Sequence, residues 1–443
     1  MTRRPTRLIL LLALGACTEE ATAPGVCPDY CPGGQIAVVD TIFTDMVERD
    51  STFGPYVEAN QGEALAVADV PGMVDSRAIF RMFGQVPPRV TNRPSPDTTT
   101  VPITVDSARL QINIVRRDTA STNLWIKFYR LPLDIDSTTT FAQLVQPFTD
   151  SIVDSVNVST LLAGPKIYDS VTLATWGDTI RTDSAGHVLT IGRADSTLLL
   201  YVHLDTTQAR YVGADSGTIA YGVRVSADTL ASIGLGSNES GRGALLKWFY
   251  TYPDTNAAPV QAIAQRGPNF DSFVFTPPTP PVDSNLAVGG APAARSILRF
   301  AIPPILRDSA DVVRATLILV PVGPVPGAAG DSFEVVARPV VADLGAKSPL
   351  TLNSDFWFRQ RVYVNDPDTV RMEITNLIRA WALDTTAVTA FVLGLPPRFV
   401  DGPVRRTPEG SSYTQIRFYS SRTPAFRPAV HITYVKRYAF GTP

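Results

Sequence analysis

One stretch constrains this chain more than any other, because it occurs twice. RAIFRMF runs from Arg77 to Phe83 and is followed by VDSARLQINIV from Val105 to Val115. RSILRF runs from Arg295 to Phe300 and is followed by VVRATLILV from Val312 to Val320. Each copy is an apolar strand carrying an arginine, then a second strand with an Ala-x-Leu centre. In the first copy Ala108, Leu110, Ile112 and Ile114 alternate with Arg109, Gln111 and Asn113. Period two places successive side chains on opposite faces, so these are half-buried strands.

The surrounding sequence has the same character. Ile36–Phe43, Ala64–Asp69, Asn123–Arg130 and Thr197–Leu204 are short, rich in β-branched and aromatic residues, and bounded by Pro, Gly or Asp. Further strands are expected near Val171–Thr175, His187–Ile191, Thr218–Val225 and Ala244–Thr251. The 37 prolines and 30 glycines lie among them, as they do where many strands are joined by turns. The order then repeats: Asp271–Phe275 echoes Asp40–Phe43, and Leu286–Gly290 echoes Leu65–Asp69. Ala315-Thr316-Leu317 echoes Ala108-Arg109-Leu110, and Gln415–Ser420 echoes Leu246–Thr251. The pattern predicts an all-β chain of two tandem antiparallel β-sandwiches, jelly-roll-like. Residues 35–252 form the first and 270–436 the second, with a linker at 253–269 and a tail at 437–443. The first copy carries extra sequence between Gly164 and His203.

One helix is expected. Ile374, Leu377, Ile378 and Trp381 fall at i, i+3, i+4 and i+7, one face of two turns, with Thr375 as N-cap. Val158–Ala163 is its weaker counterpart. The apolar face reads as core in preference to a partner site.

The N-terminus bears on location. Arg3, Arg4 and Arg7 precede the apolar run Leu8–Ala16. Nine helical residues span roughly 14 Å, half of a ~30 Å hydrocarbon core, so residues 1–16 read as a secretory signal peptide. Leu14-Gly15-Ala16-Cys17 resembles the bacterial lipobox. That resemblance implies a lipoprotein whose Cys17 is diacylated, with palmitate among its acyl chains, and forms the mature N-terminus; several chains anchor far more firmly than one. An ordinary signal peptide with a chance cysteine is the alternative. Thr18 is not the aspartate of the inner-membrane retention signal, so the sorting pattern points to the outer membrane. Residues 17–34 form a lipidated tether without apolar period. Cys27 and Cys31 read as a local disulfide in an oxidising envelope, or else as free thiols.

The second copy resembles the DNRLRE-type extracellular domains of secreted bacterial proteins. The resemblance runs through LAVGG, RSILRF with Ile302-Pro303, VVRATLILV, Val370–Trp381, Gln415–Ser421 and the ending Arg427-Pro428 to Ile432-Thr433-Tyr434. It covers most of Phe270 to Val435. The first copy is similar at Asp40–Phe43, at Thr52-Phe53-Gly54 and from Ser76 through Val115; it departs in its long middle and lacks that ending. The resemblance implies a β-sandwich in a group partly regarded as carbohydrate-binding; no ligand residue carries over from it.

Candidate chemistry is thin. Net charge is −2 with no Lys/Arg cluster, which argues against nucleic acid. His187, His203 and His431 sit in strand-like runs without ligand spacing and read as structural. Gly236–Gly241 reads as a turn, not a nucleophile elbow, and no carboxylate pair stands out for a hydrolase. Asp134 with Asp136, and Asp366 with Asp368, could lend oxygens to calcium, against the plainer reading of turn chemistry. Trp125, opposite Leu124 and Ile126, and Trp357, in Asp355–Arg359, are the ligand-contact candidates, since flat aromatic faces suit sugar rings. The opposing reading has them covering sheet edges. The expectation is a lipid-anchored, non-catalytic binding or adhesive protein, with polysaccharide as its partner or another envelope protein as its docking surface, and without a cofactor.

Overall fold

The computed structural model describes residues 38–54, 62–84, 89–91, 100–118, 121–165, 179–192, 197–205, 209, 217–254, 258–276, 284–291, 293–325, 332–396, 398–399, 405–406, 409–410 and 412–437. Cys17, Cys27, Cys31 and the strand expected at Val171–Thr175 lie outside these. The fold is all-β, and every strand pair is antiparallel. Among the described residues no helix is long and apolar enough to cross a membrane.

Strand faces follow the sequence period. In Thr104–Arg117 the alternating set Ala108, Leu110, Ile112 and Ile114 is at most 2% exposed. Two cores result. The first gathers Phe80, Leu110, Phe128, Leu200, Tyr221 and Trp248. The second gathers Met46, Leu298, Phe300, Leu317, Met372, Phe391, Phe418 and Ile432.

The first four strands are β1 (Val38–Phe43), β2 (Val47–Phe53), β3 (Ala64–Val70) and β4 (Val74–Phe83). One long curled sheet surrounds the first core. Its path runs Thr179–Thr182, Val188–Ile191, Leu198–Leu204, Thr104–Arg117, Ala231–Gly236, β3, β4, Thr218–Ser226, Trp125–Arg130 and Ile152–Asn157. Leu245–Tyr252 adds to Thr104–Arg117 and carries Val260–Arg266 on its far edge; Pro268–Phe275 adds to β4. The second core lies between two sheets. One is β1, Ala429–Lys436, Ala310–Leu319 and Val370–Glu373; the other is β2, Arg295–Phe300, Ala390–Gly394, Ser332–Pro339 and Phe358–Tyr363. Leu286–Gly289 pairs with Gln415–Phe418 beside them.

This pairing moves the expected boundaries. β1 and β2 precede the first sandwich in sequence but belong to the second. Val38 pairs with Val435 and Phe43 with Val430, while Phe53 pairs with Arg295 and Asp50 with Leu298. The expected linker 253–269 contains the strand Val260–Arg266, which together with Pro268–Phe275 completes the first sandwich. The two repeats have exchanged their leading strand pairs.

Register fixes which residues correspond. Arg77 faces Val274 and Phe80 faces Asp271; Arg295 faces Phe53 and Leu298 faces Asp50. Asp271-Ser272 is therefore the counterpart of Asp50-Ser51, not of Asp40-Thr41. Both aspartates are buried, and both accept a backbone N–H from the turn behind a core strand: Asn238 to Asp271 at 2.7 Å, Ser421 to Asp50 at 2.5 Å. By the same logic Gln415–Phe418 matches Ala231–Gly236, since each pairs with the LAV strand of its repeat. Leu245–Tyr252 matches Ala429–Lys436, not Gln415–Ser420. An alternating apolar pattern encodes which face is buried; the ladder partner depends on backbone groups that every residue shares.

The repeated arginine is paired with a carboxylate in both sandwiches. Arg77 donates to both Asp75 oxygens, at 3.0 and 2.7 Å, with its guanidinium over the Phe141 ring at 4.4 Å. Arg295 donates to Glu409, whose carboxyl is 1% exposed.

The expected helix forms as Thr375–Leu383, burying Leu377, Ile378 and Trp381, the last 5.3 Å from the Phe300 ring. Thr375 is not its N-cap; Ile374 holds that place without a side-chain bond. The Thr375 hydroxyl instead accepts from the Ala315 amide at 2.7 Å, tying the helix to the sheet. In Val158–Ala163 the Asn157 side chain does cap, accepting from Thr160.

Asp271 yields a pH prediction. Burial raises its pKa to about 6, with Glu239 adding to the rise and the Asn238 amide opposing it. The folded state therefore holds a proton that the unfolded chain has released between about pH 4 and 6, so stability falls as pH rises through that window and is level above it. Asp271→Asn is expected to stabilise the protein by up to about 3 kcal/mol at pH 7 and by close to nothing at pH 4. Urea unfolding at the two pH values measures this; equal effects at both would overturn it.

Candidate functional site

An open cleft of about 640 Å³ lies in the second sandwich, within the range of ligand pockets. It follows the free edge of β2. Glu48, Arg49, Asp50 and Ser51 come from that strand; Arg299 comes from its neighbour. Asp343 and Gly345 come from the loop after Ser332–Pro339, and Ser421 and Arg422 from the turn behind Gln415–Phe418.

The polar groups are held in pairs. Arg299 donates through Nε to Asp343 Oδ2 at 2.5 Å and through Nη2 to Oδ1 at 2.8 Å, a bidentate fork. The hydrogen bonds from Arg299 hold the Asp343 carboxyl below the usual carboxylate range, with Arg49 contributing; the same pairing raises the Arg299 guanidinium. Asp343 thus stays ionised and serves as an acceptor, not as an acid. Asp50 is fully buried. Its Oδ1 lies 3.2 Å from the Arg422 guanidinium without the alignment of a hydrogen bond. Arg422 donates to the Asp50 carbonyl at 3.3 Å and to the Ser284 carbonyl at 2.8 Å. Three arginines and three carboxylates line the cleft, so their formal charges cancel. It offers donors and acceptors side by side without a strong field of either sign.

The corresponding surface of the first sandwich differs. Arg81 takes the place of Arg299 and Asp271 that of Asp50, but Phe270 stands where Arg49 is. Arg81 lies over the Phe270 ring at 5.9 Å and donates to the Leu133 carbonyl. An aromatic ring occupies the position that the second sandwich leaves polar and open.

The residues singled out from sequence lie elsewhere. Trp357 presents no free face: it is 7% exposed, sits between Arg338 and Arg359 at 5.6 and 5.7 Å, and donates to the Thr351 carbonyl. Trp125 is half-buried in the other sandwich, its indole N–H donating to Asn123. The structure does not bring the two tryptophans into one surface. Asp136 accepts from both the amide and the hydroxyl of Thr138, bonds that lower its pKa. Asp366 accepts from the Asp368 amide. Both are turn chemistry, and Asp134 is exposed. Among the described residues no group of three or more His, Cys, Asp or Glu is gathered for a metal.

His187 is buried between two carboxylates from separate segments. Its Nδ1 lies 2.6 Å from Asp183, four residues earlier, and its Nε2 lies 2.9 Å from Asp154. Burial works against its charge, but the two carboxylates outweigh that and raise its pKa. His431 pairs with Asp40 at 2.9 Å, joining β1 to the last strand.

The cleft itself left little trace in sequence, because its walls come from positions hundreds of residues apart. One available signal was the second arginine of RSILRF, Arg299, repeated at Arg81. No family model matches the chain, and no curated protein matches it. The resemblance to DNRLRE-type domains therefore rests on the strand-core motifs alone.

Proposed function

We propose that this protein is a lipid-anchored outer-membrane protein that binds polysaccharide without catalysis, through the β2-edge cleft of its second sandwich. One observation carries the reading: three arginines and three carboxylates line one cleft, and their formal charges cancel. A hydroxyl both donates and accepts, so a neutral, hydroxyl-rich ligand satisfies both kinds of group. A strongly charged ligand would gain on one set and lose on the other. The pairing of Asp343 with Arg299 also supports a binding role, since that carboxyl has no proton to give. The lipobox-like Leu14-Gly15-Ala16-Cys17 supports the anchor, with acylation at Cys17.

A glycan array probed with residues 18–443 tests the binding. Neutral glycans are expected to be retained by the native chain, and Arg49→Ala with Arg422→Ala is expected to weaken that by roughly tenfold or more, the loss of one or two charge-assisted hydrogen bonds. Retention of no glycan, or equal retention by the variant, would count against this reading. Incorporation of labelled fatty acid in a bacterial host tests the anchor.

A second reading, docking on another envelope protein, is favoured by apolar side chains beside the cleft: Val341, Leu344 and Leu352 are each more than 60% exposed. Crosslinking in intact cells through Leu344 would then trap one dominant protein.

A further inference from the structure

We propose that the β1–β2 strand pair is exchangeable between two copies of this chain, so that each copy completes the other's second sandwich and supplies one wall of its cleft. The inference does not depend on the identity of the ligand.

Four observations lead to it. First, β1 and β2 are separated in sequence from the body they complete by the whole of the first sandwich. Second, the first sandwich is completed by an equivalent pair, Val260–Arg266 and Pro268–Phe275, which stands just before the second body in sequence. Both bodies accept the same kind of pair in the same register, with Asp50 and Asp271 making the same bond to a turn amide. Third, the connections match: ten residues separate Phe53 from Ala64, and ten separate Phe275 from Leu286. The chain thus already carries out a reciprocal strand exchange between two bodies. Fourth, β1 is shallowly held, with Val38 60% and Ile42 56% exposed.

The contacts made by β1–β2 are the same whether donor and acceptor belong to one chain or to two. The two arrangements therefore differ in connection and concentration terms alone, which is why exchange is a low-cost route to assembly. A short link gives an effective concentration on the order of 1 mM. Copies approaching that concentration, as tethered proteins on a membrane do, populate the exchanged form. In it Arg49 and Asp50 of one copy face Arg299, Asp343 and Arg422 of the other, so each cleft is built by both.

The test uses two differently tagged chains of residues 18–443, both with Cys27→Ser and Cys31→Ser. One carries Val38→Cys and the other Val435→Cys; these positions are direct partners in the ladder, and a disulfide between them in this mixture joins two chains. After co-refolding at roughly 1 mM, the mixed disulfide dimer is expected at about tenfold the level found at roughly 1 µM. It should also exceed by about tenfold the level from a control in which Val341→Cys replaces Val38→Cys, a comparably exposed site outside the ladder. A yield no greater than that control, or no mixed dimer at either concentration, would overturn the proposal. Circular dichroism of each single variant confirms that all three chains fold.

Discussion

A chain that lacks residues 38–53 is expected to keep its first sandwich folded and to lose its second. The missing segment carries Met46 and Val47, both buried in the second core, and Val39 and Phe43 packed against it. It also carries Asp50, which holds the turn at Ser421. At ~1.5–3 kcal/mol per buried apolar side chain and ~1 kcal/mol per hydrogen bond, the loss is on the order of 10 kcal/mol. That equals the whole stability of an ordinary domain. None of these residues touches the first core, which has its own pair in Val260–Arg266 and Pro268–Phe275. Hydrogen exchange read by mass spectrometry should show amide protection kept across 64–275 and lost across 286–436. Loss in the first sandwich instead would mean that β1 and β2 belong where their sequence position suggests. A fragment starting at residue 270, the boundary that the repeats suggest, should likewise fail to fold, since it lacks β1 and β2.

Arg295→Ala is expected to lower the stability of the second sandwich by ~3–5 kcal/mol, because it removes the guanidinium that donates to both oxygens of the almost fully buried Glu409 carboxyl. For a domain of this size the melting temperature would fall by roughly 10 °C. The double change Arg295→Met with Glu409→Met should cost much less, since a buried ion pair replaced by apolar groups of similar volume is often close to neutral. Calorimetry on the native chain and the two variants separates the cases. A double variant as unstable as Arg295→Ala would show that packing around Gly394, where an added Cβ would lie 3.0 Å from Glu409 Oε1, sets the requirement and charge does not.

Period decides which side chains are buried. Ala108, Leu110, Ile112 and Ile114 face the core as their spacing requires, and so do Leu377, Ile378 and Trp381 of the helix. Period does not decide partners. Asp271–Phe275 was matched to Asp40–Phe43 on composition, while its ladder matches Asp50–Phe53. Trp357 was expected at a surface because it stands in a loop, yet two arginines enclose it. Asp183 and Asp154 meet at His187, though one of them is 33 residues away.

The cleft shows the same division. Arg49, Arg299, Asp343 and Arg422 are unremarkable in their own segments, and none sits in a spacing that signals chemistry. They become a site because β2 crosses to the second body and lays its free edge beside the 343–345 loop and the 421–422 turn.

By itself the amino-acid order settled that this chain forms strands, that they pair antiparallel in an all-β fold, and which side chains go inside, because burial depends on alternation along a few neighbouring residues. Tertiary structure alone decided which body receives each leading strand pair, and so where the cleft lies. Backbone amides and carbonyls are alike in every strand; the choice among competing edges is made by the packing of whole sandwiches.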